Sequence, residues 1–238
     1  MANWLVKLEG PSFDLDEFPH WFPRGSVHAI TDAEGTYLAG EQLEVCNDAS
    51  EVHETAEALL DEMHAVIHLL DPSIRRPAVG AVLRVDDAGK RTGTVFASAT
   101  ISGRSKVRAT LSVAGSETGP AGLTQAQVLL ETAQSNRHLR IALSVLAMPH
   151  VSWPHLYRAL EEIEACLKDK VDDAGICTND ERESFARSAN SGEVAGCDAR
   201  HRVGRFKPRS QPMKLNDAKT LIRICLDATL RKVTSDAA

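Results

Sequence analysis

Apolar residues recur at every second position in several short stretches of the first half, which is the pattern of half-buried β-strands. Trp4, Val6 and Leu8 follow this spacing and predict a first strand. Segments 26–30 and 36–38 flank a glycine-containing turn and predict a β-hairpin. Further strands are predicted at 78–85, 92–101 and 106–113. Because short turns join these strands, we expect them to form an antiparallel sheet.

One long helix is predicted between these strands, at residues 49–70. Asp48 and Glu51 have the spacing of a capping box, and Pro72 follows the predicted end. A single apolar stripe at helical spacing comprises Val52, Ala56, Leu59, Met63, Val66 and Leu70. Residues 13–18 predict a short helical turn or loop. A sheet covered by one main helix is an α+β arrangement.

The pattern turns wholly helical after residues 114–122, a glycine-rich stretch that is typical of a linker. Helices are predicted at 124–133, continuing to 147 after a break near Asn136, and at 152–167, 180–189 and 215–232. The predicted fold class is therefore α+β: an N-terminal antiparallel sheet with one main helix at residues 1–114, followed by an all-α helical bundle at residues 122–238.

Composition and charge limit the classes of function that the sequence supports. Residues 1–120 hold 10 Lys and Arg against 18 Asp and Glu, and residues 121–238 hold 17 against 15. The five cysteines are widely spaced, which favours a reducing, cytoplasmic location over a disulfide framework. No apolar run is long enough for a membrane span, and the N-terminus lacks a signal-peptide pattern. The glycine motifs of dinucleotide, P-loop and hydrolase sites are absent, so we expect no cofactor.

The candidate site lies near residues 182–214. Six basic residues stand between 200 and 214 with no acid among them, and His201 lies inside the run. They are Arg200, Arg202, Arg205, Lys207, Arg209 and Lys214. Arginine binds phosphate through its planar fork, and histidine ordinarily changes charge near neutral pH. A solvated basic loop between two helices is the alternative interpretation.

Other clusters support weaker hypotheses. His64 and His68 have a spacing that can hold a metal, but the intervening glutamate of the zinc-protease motif is missing. Cys197 and His201 match no known zinc spacing, so no metal site is predicted. Tyr157 with the neighbouring glutamates at 161–164 is a candidate for acid–base chemistry or a solvated face. The acidic stretch 41–62 is a candidate docking surface for a basic partner protein.

The helical half resembles a group of uncharacterised bacterial proteins. The residues that carry the resemblance are Trp153 to Tyr157 with Glu161, Phe185, Ala189 with Asn190, Gly196 to His201, and Pro212 to Leu215 with Ala218. Its layout is also similar to HEPN domains, which are nucleotide-binding helical bundles found in ribonucleases of toxin–antitoxin and phage-defence systems. This resemblance implies a homodimer that binds or cleaves RNA or a nucleotide.

The family's active residues are an Arg and a His separated by four to six residues. Here Val194, Ala195 and Gly196 stand where that Arg is expected, so only His201 is carried over. The resulting hypothesis makes His201 and Arg200 catalytic. Phosphate or nucleic-acid contacts are assigned to Arg187, Asn190, Arg202, Arg205 and Lys207. The alternative is a non-catalytic interaction module whose acidic N-terminal helix binds a partner protein.

Overall fold

The computed structural model describes residues 3–96, 122–199 and 210–237. The chain divides into two units, Met1–Val128 and Leu129–Ala238. The predicted linker at 114–122 lies outside the described residues except for Gly122. The described elements of the first half are β1 (Asn3–Glu9), α1 (Ser12–Trp21), β2 (Val27–Asp32), β3 (Gly35–Gly40), α2 (Glu41–Glu44), α3 (Ala49–Leu70), β4 (Ala78–Val85) and β5 (Arg91–Thr94).

The described strands form one antiparallel sheet in the order β2-β3-β1-β4-β5. Its register aligns Ala29, Leu38, Val6 and Val82 in a row across four strands. All four side chains are buried, so they share one apolar face. The long helix α3 packs against β1 and β4. The predicted sheet with one main helix is therefore confirmed.

Local turn chemistry explains why the strands reverse where they do. In the turn between β4 and β5, the Asp86 carboxylate accepts hydrogen bonds from the backbone N–H groups of Ala88 and Lys90. Gly89 has φ of +78°, a conformation that side chains rarely adopt. The strand predicted at 92–101 is observed as the shorter β5, and residues 97–101 and 106–113 lie outside the described residues.

Helix α3 begins and ends as predicted. The Asp48 side chain accepts from the backbone N–H groups of Ser50 and Glu51, at 2.9 and 3.0 Å. The Glu51 carboxylate accepts a hydrogen bond from the backbone N–H of Asn47 at 2.8 Å. In a standard capping box the donor would be the next residue, Asp48. Each bond satisfies a donor near the helix start that would otherwise lack a partner.

Arg91 joins the two edge strands of the sheet. Its guanidinium pairs with Asp32 of β2 at 2.5 Å and with Glu34 in the following turn at 3.1 Å. It also stacks over the Tyr37 ring, 4.9 Å from the ring centroid. Because β2 and β5 lie at opposite edges of the described sheet, the sheet is curved enough for one arginine side chain to reach from one edge strand to the other.

The second half is helical throughout its described residues. Its elements are α4 (Gln125–Ser135), α5 (Arg137–Ala147), α6 (Trp153–Leu167), α7 (Asn179–Asn190), α8 (Gly192–Ala195), a 3-10 turn (Gly196–Asp198) and α9 (Leu215–Ala237). Helices α5, α6 and α9 pack against one another, and α7 packs against α6. Asn136 interrupts the chain between α4 and α5 and caps α5, which confirms the predicted break.

Two further predicted elements differ from the structure. Residues 12–21 form a ten-residue helix, α1, although only a short helical turn or loop is predicted there. Helix α9 continues to Ala237, beyond the predicted end at 232, because no proline or glycine follows to stop it. No described helix has the length and apolarity needed to cross a membrane.

The Arg91 pair predicts a pH-dependent contribution to stability. The hydrogen bond from Arg91, assisted by the Glu34 backbone N–H, lowers the pKa of Asp32. A lowered folded-state pKa stabilises the fold fully above the unfolded pKa of about 4, and this stabilisation is lost as the pH falls through the folded pKa. We therefore expect Asp32→Asn to lower the urea midpoint at pH 7, with the difference from wild type shrinking in acid.

The control is Asp87→Asn, which removes an exposed carboxylate from the turn between β4 and β5. Urea unfolding of the three proteins at several pH values measures the effect. A midpoint for Asp32→Asn that equals that of wild type at pH 7 contradicts the assignment of Arg91 as the link between the edge strands.

Candidate functional site

Helix α7 carries the described part of the candidate site. Phe185 is fully buried and packs against the rings of Trp153 and Tyr157, whose centroids lie 5.9 and 6.0 Å from its own. Arg182 forms two hydrogen bonds to the Glu164 carboxylate, at 2.7 and 3.1 Å, and lies 3.3 Å from Asp172. These contacts fix α7 on α6, so Arg182 has a structural partner and its charge is compensated within the unit.

The segment that follows α7 returns to the same helix. The Ser188 hydroxyl accepts a hydrogen bond from the backbone N–H of Met213 at 2.9 Å, and Ser188 is almost completely buried. Met213 therefore lies beside the last turn of α7. The sequence alone gives no sign of this contact, because the two residues lie 25 positions apart.

Arg187 lies on the exposed side of α7, one residue before this anchor. Its side chain is 52% exposed, and it lies 3.5 Å from Glu183 one turn earlier on the helix. Exposed pairs at this spacing are worth only a few tenths of a kcal/mol. The Arg187 guanidinium can therefore exchange this contact for a stronger anionic partner at little cost in stability.

Asn190 lies at the end of α7 and is buried, with 7% of its surface exposed. Its Nδ2 donates a hydrogen bond to the Ala186 carbonyl at 2.7 Å, while its buried Oδ1 has no hydrogen-bond partner within the described part of the chain. The amide donor is thus engaged by the helix and the acceptor is unsatisfied. An unsatisfied acceptor suits contact with a hydrogen-bond donor, from the following segment or from a ligand, better than contact with a phosphate oxygen, which is itself an acceptor.

The other predicted site residues lie outside the described residues. They are Arg200, His201, Arg202, Arg205 and Lys207. Their assignment to the site accordingly stays a prediction from sequence.

A cluster on α5 and α6 was missed by sequence reasoning. The buried Glu162 carboxylate lies 2.7 Å from Nδ1 of His138 and 2.5 Å from the Arg158 guanidinium. Glu164 instead binds Arg182. Glu162 and Glu164 therefore bind different basic partners.

The histidine pair on α3 has an environment suited to a structural role. Nε2 of His64 is 3.2 Å from the Ile74 carbonyl, and burial lowers the pKa of this histidine, against a smaller opposing effect of that hydrogen bond. The rings of His64 and His68 are 5.8 Å apart. Across residues 3–96, 122–199 and 210–237, no group of three or more His, Cys, Asp and Glu side chains is arranged to hold a metal.

The acidic stretch 41–62 has many partners within its own unit. Glu57 and Asp61 pair with Arg76, and the Glu44 carboxylate accepts from the Trp4 backbone N–H. Asp48 and Glu51 cap the start of α3. At least five of its eight acids thus have intrachain partners, which reduces the charge available to a docking protein.

The anchor at Ser188 predicts how the loop responds to mutation. Ser188→Ala removes the acceptor for the Met213 N–H, and loss of a partly buried hydrogen bond costs about 1 kcal/mol. We expect a matching fall in the free energy of unfolding and faster tryptic cleavage within 200–209. Ser184→Ala, one turn earlier on α7, is the control. Equal cleavage rates in the Ser188 and Ser184 variants would show that the anchor does not restrain the loop.

Comparisons with known proteins identify no relative. No protein-family model matches the chain, and neither a curated protein nor a solved structure matches it. The functional argument therefore depends on the chain's own sequence and on the geometry of its described residues.

Proposed function

We propose that this protein binds RNA through the basic segment 200–214 and cleaves it with His201 as the proton-transfer group. The observation that supports the proposal is the run itself: six cations stand at 200–214 without an intervening acid, and Met213 near its end is bound to Ser188 of α7. Like charges so close in sequence repel one another. An RNA backbone relieves their repulsion and releases its counterions on binding.

The roles of individual residues follow from their chemistry. Phosphate groups are contacted by Arg200, Arg202 and Arg205. Arg187 contacts a further phosphate from the last turn of α7. His201 accepts the proton of a ribose 2′-hydroxyl, which then attacks the adjacent phosphorus and displaces the 5′-oxygen of the next nucleotide. Arginine beside the phosphate stabilises the charge that develops during this step. Asn190, at the end of α7, orients the segment that follows it.

The alternative is a non-catalytic module that binds a partner protein through the acidic stretch 41–62. At least five of the eight acids in that stretch already have partners in the same unit. The basic segment has no comparable set of acids within its own sequence. Charge complementarity therefore favours a polyanion at segment 200–214 over a basic protein at α3.

The binding prediction concerns the triple variant Arg200→Ala, Arg202→Ala, Arg205→Ala. We expect its Kd for a fluorescein-labelled single-stranded RNA to rise at least ten-fold at moderate salt. The slope of log K against log salt concentration falls by about 2, because each lost phosphate contact removes about 0.7 from it. Fluorescence anisotropy across a salt series measures both quantities.

The matched control removes the same charge elsewhere in the second unit. Lys168, Lys170 and Lys232 are exposed lysines distant in sequence from the loop, and their triple alanine variant keeps the basic segment intact. Equal losses of affinity in the two triple variants would show that RNA affinity depends only on the net charge of the protein, which would contradict the assigned site. Absence of RNA binding by the wild type would contradict the proposal as a whole.

The cleavage prediction concerns His201. We expect His201→Ala to lose cleavage of the labelled RNA while its Kd stays within about two-fold of wild type, because proton transfer and phosphate contact are separate roles. Denaturing gels of the reaction products measure cleavage. Unchanged cleavage in His201→Ala would exclude His201 as the proton-transfer group, whereas binding without cleavage in the wild type would leave a binding module alone.

A further inference from the structure

A buried carboxylate of the second unit binds two half-exposed basic side chains. Glu162 of α6 has only 8% of its side chain exposed, whereas His138 of α5 and Arg158 of α6 are 45% and 59% exposed. One carboxylate oxygen is 2.7 Å from Nδ1 of His138, and the other is 2.5 Å from the Arg158 guanidinium. The imidazole and the guanidinium therefore share one acid and lie side by side.

The contact with Glu162 determines which nitrogen of His138 can react. An ionised carboxylate only accepts hydrogen bonds, so Nδ1 carries the hydrogen and donates it. A neutral imidazole with its hydrogen on Nδ1 keeps a lone pair on Nε2. Within the described residues, Nε2 of His138 has no hydrogen-bond partner. A histidine whose ring is oriented by a carboxylate in this way is the arrangement that enzymes use for reactive imidazoles.

The backbone of His138 is also held in place. Asn136 caps α5, and its side-chain oxygen accepts from the backbone N–H groups of His138 and Leu139 at 3.0 and 3.3 Å. Its Nδ2 is 3.4 Å from the sulfur of Cys166 on α6. The ring and the backbone of His138 are therefore both fastened to α6, the ring through Glu162 and the backbone through Asn136.

Stabilisation of the fold alone is a weak reason for a glutamate at this position. A buried charge is costly to desolvate, and an apolar side chain of similar volume in its place is often neutral or stabilising. The neighbouring positions of α6 are indeed apolar and buried, as Ala159 and Ile163 show. A buried acid whose two partners are both half exposed instead suits the orientation of those partners toward a ligand.

We propose that His138 is a phosphoryl-accepting site for small acyl phosphates, in which Arg158 binds the phosphoryl oxygens and Glu162 positions the ring. The Nε2 lone pair attacks the phosphorus, the bond between phosphorus and the acyl oxygen breaks, and the carboxylate leaves with that electron pair. The phosphorylated ring keeps its hydrogen on Nδ1, and the Glu162 carboxylate compensates the positive charge of the ring. The step needs no further reactant.

The groups present at the site determine the class of donor. A guanidinium matches the oxygens of a phosphoryl group, and Arg158 meets Glu162 through only one of its nitrogens. Within the cluster, Nδ1 of His138 and both oxygens of Glu162 are engaged, so none of them is placed to protonate a leaving group. An acyl phosphate needs no such acid, because its leaving group departs as a carboxylate. This activity is independent of the basic segment 200–214.

The test incubates the full chain with acetyl phosphate that is radiolabelled on phosphorus. We expect label that survives alkali and is lost in acid, as phosphohistidine is, and peptide mapping should place it at His138. His138→Gln keeps a hydrogen-bond donor for Glu162 but has no nucleophilic nitrogen, so it should lose the label. His150→Ala removes an exposed histidine of the same unit and should be labelled like wild type. Thermal unfolding of both variants verifies that they fold.

Two further variants separate the assigned roles. Arg158→Ala should raise the KM for acetyl phosphate, because it removes the phosphoryl contact. Glu162→Gln should lower the maximal labelling rate about ten-fold or more while KM stays near that of wild type. A merely structural role of Glu162 would lower the unfolding temperature without this split. The proposal is overturned by absence of label in the wild type, by label that persists in His138→Gln, or by an unchanged labelling rate in Glu162→Gln.

Discussion

Burial of Phe185 against Trp153 and Tyr157 is the contact on which the candidate site depends. It seats α7 on α6, and the Arg182 pair with Glu164 fixes the same helix by charge. With α7 held in this way, Ser188 at its last turn can accept a hydrogen bond from the Met213 backbone N–H. Hydrophobic packing of α7 on α6 thus positions the acceptor that binds Met213.

The elements could be predicted from the sequence because their signals are local. Asp48, Thr124 and Asn136 each mark a helix start, and the structure shows each side chain accepting from backbone N–H groups of the first turn. Alternation likewise locates β1 and β4, since a strand with one buried face must alternate. The length of α1 could not be predicted, because Pro19 lies inside it and a proline ordinarily indicates the end of a helix.

The contacts that matter for function could not be found in the same way. The Ser188–Met213 and His138–Glu162 contacts each join residues distant in sequence. Nothing in the neighbourhood of either partner marks such a pair, because tertiary packing brings it together. The basic run at 200–214 could be found from the sequence because it is contiguous, whereas the hydrogen bond between Met213 and Ser188 could not.

The most direct test of the central claim is to map where RNA contacts the chain. Ultraviolet cross-linking of wild-type protein to a single-stranded RNA, followed by mass spectrometry of the cross-linked peptides, reports this without a prior choice of residues. The account predicts cross-linked peptides from residues 187–214 and a marked loss of them at high salt. Cross-links confined to the first unit, or spread evenly over both units, would contradict it.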